Sequence, residues 1–352
     1  MVESLADIWE QAEGMDATLR GALKHSPALK RKRLYADPYV RSRLFASIAK
    51  GRPALLTHFP VRLKSAHSDA ALVLPKLLCK GFPASHKARV QMGASRTQRS
   101  LCVSEVMGLW ERRRAILGVT DLHFRGTRFA DAMDFSALTE FDVLCRDRRF
   151  IEEIEMMTVV ISSKGNVTDS HQDDCDGSNH CFVGKKLWLA WDRLEGKTRG
   201  FQDVDRDQPE GAAAFDIGTF LRLRSSCWFI IKQNQTLFLN GSLAHKVICL
   251  EPYIGVGGFN VTLPGCLRSL RRWQLYDTLD IKQKNLFEPI CRALRKRVNE
   301  LRQSDQNTQD LWGVKYLRAA LVEWQKREPS RMKKTLMANA AFAEFLEATL
   351  PS

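Results

Sequence analysis

The chain has 352 residues, of which 44% are hydrophobic and 27% charged, the balance of a globular protein long enough to bury a large core. No apolar run reaches the ~18 residues of a membrane-spanning helix, and the acidic, amphipathic start MVESLADIWEQAEGMD lacks the basic and then apolar segments of a secretory signal. The net charge of +14, from 54 basic and 40 acidic side chains, is uneven: residues 51–100 hold nine Lys/Arg against one acid, and residues 151–200 hold six against nine.

The first elements read as helical. Residues 2–24 repeat apolar side chains at helical spacing (Leu5, Ile8, Trp9, Ala12). The tetrad Lys30-Arg31-Lys32-Arg33 has the form of a nuclear-import signal. DPYVRSRLFASIAKG then reads as a helix with Asp37 as N-cap, Pro38 at its first position and Gly51 as its stop. Leu55 to Phe59 reads as a strand and Ser104 to Leu117 as a further helix, which makes 1–104 a basic, mainly helical region. Its charge, densest over 51–100, suits a nucleic acid or another polyanion, or else a solvated surface.

From Met157 the texture changes to β-rich runs between turn residues: MTVVISSKG, HCFVGKKLWLAWD, SCWFIIKQNQTLFLNG and HKVICLEPYIGVGGFNVTL. Evenly spaced strands of this kind indicate a sandwich or barrel. Beyond Trp273 helical spacing returns in FEPICRALRKRVNELRQ, QDLWGVKYLRAALVEWQKR and MKKTLMANAAFAEFLEATL, so 281–352 reads as a C-terminal helical region. The nine cysteines are odd in number, scattered and never spaced C-x-x-C, as expected of free thiols in a reducing compartment. With the basic tetrad, this gives the expectation of an intracellular, nuclear protein. Four N-x-[ST] sequons, at Asn166, Asn234, Asn240 and Asn260, read as chance, several of them in segments expected to be buried.

The segment TDSHQDDCDGSNHC (168–181) concentrates four aspartates, two histidines and two cysteines. In an extended strand side chains at i and i+2 share a face, so His171 and Asp173 reach one point in space. A carboxylate and two imidazoles form the facial triad of non-haem Fe(II) oxygenases, which leaves coordination positions open. His245, between TLFLNG and KVICLEP, is the best candidate for the third ligand; His180 is its local rival. An iron centre of this type works with an oxo-acid whose remote carboxylate needs a cation inside the fold. In FVGKKLWLAW, alternation sets Lys186 on one face with Gly184, Trp188 and Ala190, and Lys185 on the other. Lys186 is assigned to that carboxylate, with Thr168 as a hydroxyl donor.

HQD at 171–173, the run Gly184-Lys185-Lys186-Leu187-Trp188, AHKV at 244–247 and GGFN at 257–260 resemble the JmjC domain of 2-oxoglutarate oxygenases. TDSH at 168–171 is similar to the TDFH-type strand of the histone lysine demethylase branch, and GGFN to its GGNF-type strand. The resemblance covers residues 105–280. It implies a mainly β fold, a double-stranded β-helix (a jelly-roll, cupin-like barrel) flanked by N- and C-terminal helices. It further implies Fe(II) on His171, Asp173 and His245, and 2-oxoglutarate held by Thr168 and Lys186 with Asn179 beside them. The implied activity is hydroxylation of a protein substrate, foremost N-methyl-lysine demethylation on a histone tail. DCDGSNHCFVGK departs from the apolar, aromatic run that those demethylases carry before the lysine.

Other readings remain beside this one. Stable side-chain hydroxylation fits the absence of an obvious methyl-ammonium cage. A non-catalytic chromatin or nucleic-acid module with a dead barrel is a further alternative, and so is oxidation of a methylated base delivered by the basic flank. Against the last stands the lack of an arginine between His245 and Arg268. Cys175, His180 and Cys181 could form a local zinc cluster. Asp169, Asp174 and Asp176 read as a solvated acidic rim, and Trp188 and Trp191 as core.

Overall fold

The computed structural model describes residues 32–64, 69–93, 97–113, 115–144, 157–173, 175–200, 215, 217–275, 287–327 and 330–350. The helix expected over 2–24 and the first two residues of the basic tetrad lie outside them. In chain order the strands are β1 (Asp37–Pro38), β2 (Ala54–Thr57), β3 (Arg62–Leu63), β4 (Lys87–Met92), β5 (Thr97–Cys102), β6 (Leu117–His123), β7 (Met133–Asp134), β8 (Thr158–Ser162), β9 (Val167–Gln172), β10 (Asp176–Asp192), β11 (Cys227–Lys232), β12 (Gln235–Leu239) and β13 (Leu243–Asn260). Eleven of them, among the described residues, form one sheet in the order β1-β2-β12-β10-β13-β8-β6-β4-β5, with β11 also on β10 and β9 also on β13; β3 and β7 pair separately. The fold is sheet-rich with helices on either side in sequence, as its texture predicts.

Two long strands organise the sheet. β10 and β13 run antiparallel from Asp176↔Asn260 to Asp192↔Leu243. Both faces of β10 are apolar because both are covered: Leu187, Leu189 and Trp191 enter one cluster, Trp188 and Ala190 another. The first half of β10 pairs with β12 and the second with β11, while β13 pairs with β9 early and with β8 late. Two wings therefore diverge from a single ladder. Between them the register slips: Asn179 faces Gly257 and Lys186 faces Cys249, so seven steps along β10 oppose eight along β13. An odd slip changes which face a side chain takes relative to its partner strand.

The N-terminal region is less helical than expected. Residues 54–57 form the strand expected over 55–59, and 87–92 and 97–102 are further strands of the main sheet. Asp37 and Pro38 do not start a helix; they pair in parallel with Leu56 and Thr57, and the helix begins at Arg41 after Val40. Backbone pairing at the sheet edge, with Tyr39 N–H donating to Thr57 O at 2.9 Å, outweighs the local N-cap signal. Gly51 does follow the helix, with φ of 67°. Of the basic tetrad, Lys32 donates to Ser226 Oγ at 2.6 Å and Arg33 lies 4.9 Å over the Trp228 ring, so this half of it packs onto the protein.

At the other end the expected long helices are broken at capping residues. Gln306–Trp312 stops at Gly313, which adopts a left-handed φ of 72°, and Val314–Arg327 follows. Ser330–Met337 and Ala340–Thr349 are separated by Asn339, whose side chain accepts from Phe342 N–H. With Phe287–Arg302 these helices bury Ile290, Leu294, Leu317, Phe342 and Phe345 against Val261, Leu263 and Leu270, which follow β13. Of the four sequon asparagines, Asn166, Asn240 and Asn260 are buried. No helix among the described residues is long and apolar enough to cross a membrane.

Where this helical layer meets the sheet, two carboxylates are wholly buried. Asp142 Oδ1 accepts from the N–H groups of Val261 and Leu144, and Asp176 accepts from Asn240 Nδ2, Gly241 N–H and Thr262 Oγ1. Burial pushes Asp142 up to about 7 and Asp176 up to about 6. A carboxyl group whose value is raised on folding contributes most below its unfolded value and loses that contribution as pH rises through the folded one. Asp142→Asn keeps the acceptor oxygen and removes the charge. Its urea midpoint relative to wild type is expected to rise from about pH 5 to about pH 8; a difference that does not change with pH would contradict the assignment.

Candidate metal centre

β9 and β13 lie side by side with His171 directly opposite His245 in their register. The two rings meet with centroids 4.1 Å apart. Asp173 follows the end of β9 and points between them: its Oδ1 is 3.8 Å from His171 Nε2 and its Oδ2 is 3.8 Å from His245 Nε2. All three ligand atoms lie within 4.8 Å of one another, and no other group of His, Cys, Asp and Glu among the described residues converges in this way. A separation of 3.8 Å is less than twice a metal–nitrogen bond of about 2.1 Å, so one ion can bridge each pair.

The surroundings prepare these atoms as ligands. His171 Nδ1 faces the Asp169 carbonyl at 2.7 Å, so it carries the ring proton and leaves Nε2 as a lone-pair donor toward Asp173. His245 is almost fully buried, and the Trp188 ring packs 5.1 Å from it, backed by Phe229 in a near-parallel stack. Trp188 is thus core, as expected, and also a wall of the site. Two imidazoles and one carboxylate, placed beside a cavity, fit the facial donor set of a non-haem iron site.

That cavity has a volume of about 410 Å³ and is lined by the triad together with Thr168, Asn179, Lys186 and Trp188. All six site residues expected from the sequence therefore border one space. Lys186 is 3% exposed, and its ammonium sits 4.4 Å from the centre of the Tyr253 ring. Its neighbour Lys185 turns outward to Glu251. Burial pulls the Lys186 amine down to about 8. Among the described residues no carboxylate forms an ion pair with it. Asn179 Oδ1 accepts from the Tyr253 hydroxyl, so Tyr253 touches both the asparagine and the lysine.

Gly257 and Gly258 also border the cavity. A Cβ on Gly257 would stand 1.9 Å from the Ser178 carbonyl oxygen, so the close approach of β13 to β10 needs glycine there. Asn260, the last residue of GGFN, is buried and donates to Ser178 Oγ at 3.3 Å, a structural bond between the same strands.

The remainder of TDSHQDDCDGSNHC is placed differently from expectation. His180 is no ligand: it is buried, with Nδ1 at 2.8 Å from Thr236 Oγ1. Burial lowers its value to about 4, which keeps it neutral. Cys175 belongs to the C-terminal helical core and Cys181 to the interior of the sheet, so neither joins His180 in a zinc cluster. Asp176 is buried and hydrogen-bonded rather than part of a solvated rim, while Asp174 lies outside the described residues. Asp169 alone stays at the lip of the cavity, half exposed and 3.6 Å from Lys246 Nζ.

Sequence reasoning missed the far wall. Gln91 from β4 and Thr120 and Asp121 from β6 line the cavity. Polar residues alternating with Ala88 and Val90 in KARVQM were the available signal. No protein-family model and no curated protein matches the chain.

Replacing His171, Asp173 or His245 by Ala is expected to abolish stoichiometric binding of Mn(II), measured by calorimetry on the full chain. His180→Ala is expected to leave that binding intact, which separates a ligand from a buried neighbour.

Proposed function

We propose that this chain is an Fe(II)- and 2-oxoglutarate-dependent oxygenase acting on a protein substrate, with N-methyl-lysine demethylation as its leading form. The observation that carries this reading is the pairing, in one cavity, of an open two-histidine, one-carboxylate triad with a buried ammonium that no carboxylate of the described residues neutralises. A buried cation is costly unless an anion meets it. A dicarboxylate that chelates the metal at one end and meets Lys186 at the other satisfies both. Division of the sheet into two wings that share β10 and β13 supports a double-stranded β-helix.

In this reading His171, Asp173 and His245 hold the iron. Lys186 binds the remote carboxylate of 2-oxoglutarate, Thr168 donates its hydroxyl to the same group, and Asn179, oriented by Tyr253, borders the co-substrate. Fe(II), 2-oxoglutarate and O2 together supply hydroxylation of a C–H bond with succinate and CO2 as co-products; on an N-methyl group the resulting hemiaminal releases formaldehyde. Trp188 excludes water from the inner side of His245. Asp169 and Asp121 also border the cavity, each beside a cation, Lys246 at 3.6 Å and Arg89 at 4.0 Å.

Stable side-chain hydroxylation is the second reading. Gln91, Thr120, Thr158 and Ser170 give the lining many hydrogen-bonding groups beside two aromatic rings, Trp188 and Phe259, whereas methyl-ammonium groups are commonly held in aromatic cages.

Turnover of 2-oxoglutarate to succinate by the full chain, with Fe(II) and ascorbate, tests the proposal; absence of turnover against a panel of methylated and unmethylated histone peptides would count against it. Formaldehyde release marks demethylation, and a retained mass gain of one oxygen marks hydroxylation. Removing one partner of a buried charge pair costs about 2–5 kcal/mol, so Lys186→Met is expected to weaken 2-oxoglutarate binding by roughly thirty-fold or more while Mn(II) binding is unchanged. Because the free Lys186 amine is pulled down to about 8, it is charged below that pH and neutral above. Wild-type affinity for 2-oxoglutarate should therefore fall as pH rises through about 8, a dependence that Lys186→Met should lose.

A further inference from the structure

Gly241 ties the two ligand-bearing segments together through both of its peptide groups. Its carbonyl accepts from Gln172 Nε2, and its N–H donates to Asp176 Oδ1 at 3.2 Å. Gln172 stands between His171 and Asp173, Asp176 stands three residues after Asp173, and Gly241 stands four residues before His245. The side chains on either side of the carboxylate ligand thus grip one residue of the turn that delivers the distal histidine. A Cβ on Gly241 would lie 2.8 Å from the Cys175 carbonyl carbon, so only glycine permits this approach.

A third side chain closes the arrangement. Arg193 Nη1 donates to Gln172 Oε1 at 2.9 Å, and the Arg193 backbone N–H donates to the Ser242 carbonyl at 3.2 Å. The Gln172 amide is therefore used at both ends, by an acceptor on the turn and by a donor anchored to the same turn. Gln172 and Arg193 are each 4% exposed. Apolar packing would be served as well by a leucine at 172; an amide and a guanidinium buried together cost desolvation that their mutual bonds must offset. What the amide adds is a fixed distance between 171–173 and 241–245.

We infer that Gln172 and Arg193 are positioning residues for the metal centre, setting the spacing of Asp173 and His245 and with it the affinity and geometry of the bound ion. This rests on the metal reading above. Partners that orient metal ligands typically change affinity by about 10–100-fold when removed.

Co(II) titrated anaerobically into the full chain, followed by its visible d–d absorption, tests the inference. Gln172→Leu keeps the volume and removes the amide; Gln172→Glu keeps the acceptor for Arg193, replaces the donor to Gly241 by a carboxylate oxygen that repels its carbonyl, and adds a negative charge. Both are expected to bind Co(II) about 10–100-fold more weakly than wild type and to shift the d–d bands. Arg193→Met should do the same, and Arg193→Lys should recover part of the loss. The band shift distinguishes positioning from a general loss of stability, and Gln172→Glu keeps the test alive should Gln172→Leu fail to fold. Wild-type affinity and an unchanged spectrum in the Gln172 variants would overturn the clamp while leaving the metal centre standing. A wild-type chain that binds no Co(II) would overturn both.

Discussion

The antiparallel ladder between β10 and β13 is the constraint on which the rest of the molecule depends. Asn179 and Lys186 are separated by an odd number of residues, so in a regular strand they would point to opposite faces. The slip that sets seven residues of β10 against eight of β13 brings both to the same cavity. It also lets β10 leave one set of neighbours, β12, for another, β11, without breaking its pairing to β13. A regular register would give a continuous sheet without that turn toward a common interior.

From this ladder the candidate metal centre follows with few further elements. β13 carries His245 at the point where β9 lies against it, and β9 carries His171 at the facing position. Asp173 needs only to leave the end of β9 in extended form. The layer behind these ligands is polar and cross-bonded: Gln172, Arg193, Asn240 and Asp176 bond to one another or to the 240–242 turn. Directional bonds of this kind favour one arrangement, whereas an apolar layer of equal volume tolerates several. Fixed spacing between ligands from two strands is what such a layer provides.

The sequence disclosed those parts of the site that depend on local periodicity. His171 and Asp173 share a face through the i, i+2 rule, and alternation separates Lys186 from Lys185, as their outward and inward placements bear out. His245 required only a histidine between two β-rich runs. Other features depend on partners distant in sequence and left no local trace. Asp176 sits in an acidic run that reads as solvated, yet Thr262 and Asn240 come from far along the chain to bond it. Gln91 is the exception, in a segment whose alternation was legible but passed over in reading 1–104 as mainly helical, and Tyr253 became part of the lysine site only through the fold of β13. Asp37 and Pro38 show the same effect in reverse, a local helix-start signal overruled by pairing with β2.

Charge balance gives the cavity its chemical direction. Among the described residues Asp173 is the carboxylate that converges with His171 and His245, and one aspartate with two neutral imidazoles would leave a divalent ion one positive charge in excess. Lys186 adds a second positive charge to the lining of the same cavity. A small dianion that spans the cavity neutralises both ends at once, and a neutral or cationic ligand of similar size neutralises neither. Field strength inside a low-dielectric interior makes this difference large. On the same lining Asp121 stands 4.0 Å from Arg89 and Asp169 3.6 Å from Lys246, so each of these carboxylates has a cation of its own beside it.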